Sequence, residues 1–422
     1  QDRAEEVNFQ PAAGPGGHFV TTRDEFLTWV KGRKQVRMDQ FYPLMRQKLG
    51  LLVDAKGRPE GGKWSFDADN RERARGVTMP AIPWFAPDEL TQKVMRWVGR
   101  PEVGSWGTLE NFGWPVTRTQ ALSWLKHFVD KRLSDFGPYE DAIRSDERFL
   151  FHSLLSVPLN LGLLRPDEVA RAAAKKYEQG QVSLASAEGF IRQVIGWREF
   201  IRGVYWWLMP GLRTANGLGA KLPLPDFFWA PERTSMQCLK EAVQSVHDTG
   251  YTHHIERLMV LCNYATLAGI DPRAVSHWFW AAFVDAYEWV ELPNVVGMGL
   301  HGTDAFTTKP YVASAAYVKR QSGLSAKGRG PAAAKNEAPC ARCSHDPDVR
   351  VGEHACPFNA MYWDFLAHHR ERLSKNLRMR QLLSTLDKFG PEQVAEIRRT
   401  AAAHRKTLKP YSPAWAFNEN DG

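Results

Sequence analysis

Two shortages in the sequence exclude whole classes of protein. Five cysteines among 422 residues are an odd number, and a chain of this length can bury a core without cross-links, so a disulfide framework is disfavoured. No uninterrupted apolar run is long enough to cross a bilayer and no signal peptide is visible, so we expect a cytoplasmic protein without a membrane partner. Alternating β-branched stretches are also scarce, whereas helical periodicity recurs along the chain. These features favour an all-α fold.

Net charge and aromatic content give only weak evidence about function. The net charge of +8 suits a polyanionic partner, but such a surplus is weak evidence for nucleic acid. Sixteen tryptophans are unusual, and most should be core residues because buried aromatic rings dominate packing. Indoles this dense beside a redox cofactor can also carry electrons. Seven of them fall in the middle of the chain: Trp197, Trp206, Trp207, Trp229, Trp278, Trp280 and Trp289.

Four cysteines have a spacing that indicates a metal or cluster site. Cys340 and Cys343 form a Cys-x-x-Cys pair, and Cys356 follows in the same turn-rich segment. With Cys238 from far upstream they can complete a four-thiolate shell that ties the C-terminal region to the middle of the chain. The spacing does not separate zinc from iron–sulfur, and chance occurrence of a short motif stays an alternative. Cys262 lies in an apolar run and is interpreted as a small core residue.

The chain divides into three expected parts. Residues 1–21, rich in Pro and Gly, are interpreted as a linker remnant, and residues 22–80 as connecting helices and a polar loop. Residues 81–422 should form one helical domain with a mobile insertion at 321–338. After a helix that is capped by Thr22 and runs through residues 24–34 and on to residue 49, helices are predicted over 87–98, 117–132, 147–161, 166–179, 185–208, 235–268, 272–285, 360–383 and 391–407.

Three further stretches carry a resemblance to a known family. They are S-L-L-S-V-P-L-N-L-G at 153–162, A-E-G-F-I-R-Q-V-I-G-W-R-E-F at 187–200, and H-H-I-E-R-L-M-V at 253–260, continued by D-A-Y-E-W-V-E-L-P-N at 285–294. Together they resemble the C-terminal FAD-binding half of the photolyase/cryptochrome superfamily. With the four cysteines, they resemble its iron–sulfur bacterial branch, the prokaryotic (6-4) photolyases. The resemblance implies a helical FAD-binding domain in which these cysteines hold a [4Fe–4S] cluster.

The resemblance gives roles to two serines and one tryptophan. Hydroxyls and N–H groups at a helix start can bind an anion, and Ser153 and Ser156 match residues that hold the flavin pyrophosphate. A capping box on an ordinary helix is the alternative. Trp197 matches a residue that borders the flavin cavity and faces the DNA lesion, although W-R-E alone also suits a plain amphipathic helix. Relatives acting on pyrimidine dimers have glutamate where this chain has Val194, which argues against a cyclobutane-dimer substrate.

The lesion pocket of the family involves histidines and tyrosines. By resemblance, His254 is the proton donor to the (6-4) adduct and His253 lies beside it at the mouth of the pocket. Tyr311 and Tyr317 match tyrosines that line the same pocket. Without the resemblance, the histidine pair would be taken as structural and the tyrosines as half-buried core residues.

An acidic and basic set is implied to surround the flavin. Arg257 and Asp285 match a pair against its reactive edge, where an ion pair stabilises the negative charge of a reduced flavin. Glu291 matches the position that faces N5, where a carboxyl can exchange a proton and so tune which radical form persists. Glu288, in the same segment, is added to the predicted cofactor-binding residues.

Electron transfer and light collection are the last properties that the resemblance implies. Trp278 matches the inner electron donor to the flavin, and Trp229 is interpreted as an outer donor. Phe279 stands where relatives can carry tyrosine, so one alternative hop is absent. Full-length relatives also have an N-terminal α/β domain that binds a lumazine antenna. This chain lacks it, so no antenna chromophore is expected here.

The sequence therefore predicts a light-driven lyase, a monomer that repairs (6-4) pyrimidine–pyrimidone lesions in UV-damaged DNA with reduced FAD. A cryptochrome-like blue-light photoreceptor with the same cofactors is one alternative. A cluster protein that binds nucleic acid without photochemistry is another. His254, Tyr311 and Tyr317 favour repair over signalling.

Overall fold

The computed structural model describes residues 17–74, 76–324 and 338–411. In these ranges the regular elements are helices, and strand-type pairing is limited to isolated β-bridges. The predicted helical architecture is therefore confirmed. Within the same ranges, no helix is both long and apolar enough to span a membrane. Most of the predicted linker remnant 1–21 and of the predicted insertion 321–338 lies outside the described residues.

The α-helices are numbered here in chain order. They are α1 (Arg23–Val30), α2 (Met38–Leu49), α3 (Glu89–Val98), α4 (Arg118–Lys131), α5 (Leu133–Tyr139), α6 (Ser156–Asn160), α7 (Pro166–Glu178), α8 (Leu184–Ile191), α9 (Arg198–Leu208), α10 (Gln237–Thr249), α11 (Asn263–Ala268), α12 (Pro272–Ala282), α13 (Glu288–Glu291), α14 (Ala315–Gln321), α15 (Pro357–His368), α16 (Arg370–Ser374), α17 (Arg380–Leu386) and α18 (Pro391–Thr407).

Three π-helical segments continue or precede these helices. Arg192–Trp197 joins α8 to α9, Glu256–Cys262 leads into α11, and Leu292–Gly299 follows α13. A π turn contains about one more residue than an α turn and is uncommon outside functional sites. The three segments therefore mark a region of the fold where side-chain placement departs from plain helical spacing.

The first two helices pack into the same core as the helices of the central region. A capping box between Thr22 and Glu25 starts α1. The ring centroids of Phe26 and Phe200 lie 6.0 Å apart, and a Cβ at Gly203 would lie 2.1 Å from Phe26 Cδ2. The missing side chain at Gly203 thus allows α1 to approach α9 closely.

Several of the predicted helices are wrong in extent. The predicted helix over 147–161 exists only from Ser156, because Leu150 and Leu154 adopt positive φ angles of 42° and 58° that interrupt helical geometry before it. The predicted helix over 235–268 is divided at Gly250, whose φ of 66° ends α10 in a left-handed cap. These two corrections lie next to the cavity described below.

Other predicted helices are interrupted in the structure. The helix predicted from Thr22 to residue 49 is divided into α1 and α2, because the chain leaves helical geometry after Val30 and Gly32 has a φ of 77°. The helix predicted over 360–383 is divided into α15, α16 and α17.

The close contact at Gly203 gives a stability prediction. Gly203→Ala should lower the free energy of unfolding by about 1–3 kcal/mol, because the added methyl overlaps the buried Phe26 ring. Urea unfolding measures this change. Gly211→Ala is the matched control, since a Cβ there meets no atom within 4 Å, and should change stability by less than about 0.5 kcal/mol. Equal effects of the two substitutions would contradict the packing argument.

Candidate flavin and cluster sites

Two adjoining cavities of ≈ 330 and ≈ 290 Å³ lie in the central region. Residues from all three π-helical segments, from the turn before α6 and from α8 form their walls. The first cavity is closed at one side by Cys262, Phe279 and Glu291, and the second by Trp197 and Arg198. The residues that line both cavities are Ser153, Ser156, Phe190, Gln193, His254, Arg257, Asp285, Val290 and Asn294. The shared wall makes one elongated site.

Ser153 and Ser156 stand at the junction of the two cavities. The left-handed backbone at Leu154 turns the chain between them, and the Ser153 hydroxyl accepts the N–H of Leu155 at 3.3 Å. Ser156 is the first residue of α6, so free N–H groups of a helix start lie beside its hydroxyl. This is a local arrangement that suits a phosphate. A non-glycine residue with positive φ at such a place is typical of functional sites.

An ion pair between the half-buried Arg257 and the buried Asp285 lines both cavities. Arg257 donates two hydrogen bonds to the carboxylate of Asp285, at 3.0 and 3.1 Å, and one from Nε to the carbonyl of Thr252 at 2.7 Å. Its guanidinium lies 5.0 Å from the ring centroid of Tyr251 and 4.3 Å from that of Phe283. Burial alone would lower the pKa of Arg257, but the Asp285 carboxylate raises it, so the guanidinium keeps its charge. A guanidinium and the carboxylate that it binds therefore face the cavities together.

Glu291 supplies a second kind of acidic group. Its side chain is buried and lines the first cavity beside Cys262. Burial raises the pKa of Glu291 to about 8, although the nearby Arg257 opposes the shift. The carboxyl is therefore largely protonated at neutral pH and can donate a hydrogen bond to a ligand in the cavity. Cys262, interpreted from the sequence as a core residue, is buried but belongs to this wall.

Three histidines meet at the edge of the first cavity. The rings of His152 and His253 stack at 4.9 Å with an angle of 11°, and both side chains are buried. Burial, and after it the neighbouring histidines, hold the pKa of His152 and of His253 well below 6.5, so both are neutral. One ligand atom from each of His152, His253 and His254 lies within 4.8 Å of the other two, but nearly parallel stacked rings cannot both point a lone pair at the same ion.

His254 differs from the other two histidines because it connects the cavity to solvent. Its side chain is 47% exposed, and Nε2 lies 3.4 Å from Oδ1 of Asp141. His152 was not predicted as a site residue, although it directly precedes Ser153 and lines the first cavity. A histidine adjoining the S-x-x-S motif was the only signal for it in the sequence.

The remaining predicted residues lie at different distances from the cavities. Trp197 is in the wall of the second cavity, whereas Tyr311 and Tyr317 are in neither wall. Burial, and after it the charge of Asp141, raises the pKa of Tyr317. Tyr311 is half-buried, and burial raises its pKa as well. Both phenols therefore keep their protons near neutral pH.

Glu288 is not brought to the cavity. Its carboxylate accepts hydrogen bonds from the Tyr205 hydroxyl and from Arg213 Nε, both at 2.6 Å, and it is absent from both walls. Its contacts are those of a partly exposed ion pair. The structure therefore gives no contact on which a cofactor-binding role for Glu288 could rest.

The four predicted cluster cysteines line a third, smaller cavity. Cys238 lies in the first turn of α10, Cys340 and Cys343 lie on a tight turn, and Cys356 immediately precedes α15. Burial raises the pKa of Cys238 well above 9.0, and the charges of the other three cysteines raise it further, so the four thiols are close neighbours.

The spacing of the four sulfurs can be compared with the spacing that zinc or a cluster requires. Among the described residues, no three cysteine sulfurs lie within 4.8 Å of one another. Tetrahedral zinc with bonds of about 2.3 Å would hold its sulfurs roughly 3.8 Å apart. A [4Fe–4S] cluster holds them farther apart, because each thiolate binds a different iron. The residues present therefore fit a cluster better than a single zinc ion.

The raised pKa of Glu291 gives a pH prediction for the cofactor-free protein. A buried neutral carboxyl stabilises the fold relative to a charged one, so its contribution is complete below 4.5 and is lost as pH rises through about 8. Glu291→Gln should therefore become progressively more stable relative to wild type as pH rises over this interval. Thermal unfolding at several pH values measures the difference. A constant difference would contradict a protonated Glu291.

Comparison with known proteins identifies the family. The chain is 43% identical over 392 residues to a protein named (6-4) photolyase from Agrobacterium fabrum, and the match covers 92% of this chain and 74% of that protein. Residues 3–114 match the family described as deoxyribodipyrimidine photo-lyase-related protein.

Solved structures give weaker matches. A cryptochrome from Synechocystis matches with a TM-score of 0.45 and 20% identity, over 56% of this chain and 48% of that one. A bacterial class III photolyase from Agrobacterium tumefaciens matches with a TM-score of 0.44 and 19% identity, over 70% of this chain and 56% of that one. The chain thus spans about half the length of these two structures.

The curated relative is similar over most of both chains, which is sufficient to assign the family. The chain belongs to the photolyase/cryptochrome superfamily, in the branch of the bacterial (6-4) photolyases, and is a photolyase-type enzyme.

Proposed function

We propose that this enzyme repairs (6-4) photoproducts in DNA with light, using FAD held in the elongated cavity. The observation that carries the proposal is the position of His254, which lines the cavity and yet is 47% exposed. A side chain in this position can reach a nucleotide that has been flipped out of the duplex and lies against the cavity opening. The high identity to a protein named (6-4) photolyase supports this choice of lesion.

The cavity residues have separate tasks in this proposal. When bound in its reduced form, FAD supplies a photoexcited electron to the lesion. The hydroxyls of Ser153 and Ser156 and the N–H groups at the start of α6 would bind the pyrophosphate. The Arg257–Asp285 pair would hold the ring system and place a positive charge beside it. Glu291 would keep its proton and donate a hydrogen bond.

Proton delivery would occur at the cavity opening. A (6-4) adduct needs a proton as it accepts the electron, since otherwise the electron returns unproductively. Histidine is the side chain suited to donating a proton in this way, and the Asp141 carboxylate, 3.4 Å from Nε2 of His254, orients its ring. His152 and His253 are buried and neutral behind it, so they position His254 rather than supply the proton. Trp197 and the two pocket tyrosines would contact the lesion.

We further propose that Cys238, Cys340, Cys343 and Cys356 bind a [4Fe–4S] cluster with a structural role. The four ligands come from α10, from one turn and from the start of α15, so a cluster would tie together segments that are distant in sequence. All these groups belong to residues 81–422, the proposed catalytic domain. We expect the chain to purify as a monomer with FAD and the cluster.

One observation keeps the photoreceptor alternative in view. Glu291 is a buried carboxyl where many photolyases carry asparagine and many cryptochromes carry aspartate or cysteine. The decisive experiment is conversion of a defined (6-4) oligonucleotide to the intact sequence under blue light, followed by chromatography, with a dark sample and a cyclobutane-dimer oligonucleotide as controls. Light-dependent conversion of the (6-4) lesion alone supports the proposal. A protein that binds FAD and the oligonucleotide but repairs nothing would support the photoreceptor.

The proton donor can be tested by substitution. His254→Ala should keep FAD, cluster and affinity for damaged DNA and should lose nearly all repair, because no other exposed imidazole lines the described cavity walls. His277→Ala, an exposed histidine on α12, is the matched control and should repair normally. Repair by His254→Ala near the wild-type yield would refute the role.

Cluster ligation can be tested by metal analysis. Cys238→Ala should contain little iron and little soluble protein, because the cluster joins three separate segments. Cys262→Ala is the matched control, since it removes a buried thiol from the other cavity, and it should keep its full iron content. Loss of iron from Cys262→Ala with retention in Cys238→Ala would reverse the assignment, and stoichiometric zinc in place of iron would contradict the cluster.

A further inference from the structure

The ring contacts of Trp278 lead away from the flavin cavity. Phe279 forms the cavity wall, and Trp278 lies directly behind it with a ring-centroid distance of 5.2 Å. Trp278 is fully buried and packs against the rings of Phe228, Phe279, Phe283 and Trp106. Of these four rings, only the indole of Trp106 is easily oxidised.

Trp106 lies between the two tryptophans that the sequence singled out. Its ring centroid is 6.4 Å from that of Trp278 and 5.3 Å from that of Trp229. Two consecutive carbonyls hold the rings in place, because Trp278 Nε1 donates to the carbonyl of Phe228 at 2.7 Å and Trp106 Nε1 donates to that of Trp229 at 2.8 Å. The three indoles therefore form a row fixed to one short backbone segment.

The sequence around Trp106 is suited to holding it there. Thr108 N–H donates to the carbonyl of His247 at 3.1 Å, which attaches this loop to the end of α10. Gly107 adopts a φ of 98°, and a Cβ at this position would lie 2.9 Å from the same carbonyl oxygen. Only glycine permits both the conformation and the close approach. The position of Trp106 is thus determined by contacts outside the cavity.

We propose that Trp106 relays electrons between Trp229 and Trp278, a role that rests on the proposed binding of FAD. After light excitation of the oxidised cofactor, Trp278 gives up one electron, Trp106 restores the Trp278 indole, and Trp229 restores Trp106. A soluble thiol then returns one electron to Trp229, and pairs of oxidised thiols join as disulfides with release of their protons. One electron moves at each step. With this relay, electron transfer does not need the tyrosine that relatives can carry where this chain has Phe279.

A competing aromatic route is less suited to the same task. Tyr251 lines the cavity, and its ring centroid lies 5.9 Å from that of Trp114. Oxidation of a tyrosine near neutral pH requires loss of its phenolic proton, and burial raises the pKa of Tyr251. The guanidinium of Arg257, 5.0 Å from the Tyr251 ring, further disfavours a positive charge there. An indole can carry the charge without losing a proton.

Photoreduction and electron paramagnetic resonance together test the relay. Trp106→Phe should bind FAD normally and lose most of its photoreduction with a thiol reductant, because the positive charge stays on Trp278 and recombines. Pulsed resonance after a flash should show a radical pair with stronger dipolar coupling than in wild type, since the Trp278 radical lies nearer the cavity. Trp363→Phe removes an indole that contacts Tyr362 and Phe389 instead, and should behave as wild type.

Several outcomes would overturn the proposal. One is that Trp106→Phe shows the same photoreduction rate and the same dipolar coupling as wild type. Another is that Trp114→Phe, and not Trp106→Phe, loses photoreduction. The resonance spectrum of the wild-type protein tests the relay even if Trp106→Phe does not fold. If the tryptophan radical in wild type is located on Trp278, the relay is excluded. Failure of the proposed repair function is measured separately with chemically reduced FAD, where Trp106→Phe and wild type should repair equally.

Discussion

The ion pair between the half-buried Arg257 and the buried Asp285 is the interaction on which the site depends. Two charges removed from water carry a desolvation cost of several kcal/mol each, which only close and well-oriented partners recover. Here both hydrogen bonds of the fork are made, at 3.0 and 3.1 Å, and the backbone carbonyl of Thr252 satisfies Nε. The pair also joins the second π-helical segment to the loop before α13. Removal of one partner would leave the other charged and unpaired beside the cavity.

The protonation states of the groups around this ion pair depend on how deeply each group is buried. Arg257 keeps its charge beside the Asp285 carboxylate, Glu291 keeps a proton, and His152 and His253 stay neutral, because burial acts differently on paired and unpaired groups. A site with this distribution presents one hydrogen-bonded ion pair and several neutral donors and acceptors. The neutral groups can hydrogen-bond a ligand without adding charge to the cavity, while the side chain of His254 is open to solvent at its edge.

The sequence predicted more of the fold than of the site's shape. Capped helices such as α1 and α4 carry their start signals locally, so their first residues followed from Thr22 and Thr117. The turn at Leu154 could not be predicted, because a leucine with positive φ is stabilised by its surroundings and not by its own preference.

Residues without a motif were missed for a similar reason. His152 and Trp106 were missed because the contacts that matter are with His253 and Trp278, which lie more than 90 residues away in the chain. No local sequence pattern predicts such contacts. Glu288 shows the reverse error, since proximity in sequence to Asp285 and Glu291 did not bring it to the same side of the chain. The four cysteines were predicted because the spacing of metal ligands can be recognised in the sequence without knowledge of the fold.

The π-helical segments have a consequence for how this cavity can vary. Each adds about one residue to a turn, so deletion of a single residue there would leave a continuous helix and need no new loop. The residues before and after such a deletion would keep nearly the same rotation about the helix axis, because a π turn with one residue fewer is an ordinary α turn. In Glu256–Cys262, deletion of one residue between Arg257 and Cys262 would leave these two side chains four positions apart on one helix face, and α11 could keep its outer packing. The wall of the cofactor site can thus change by one side chain without a change of fold class.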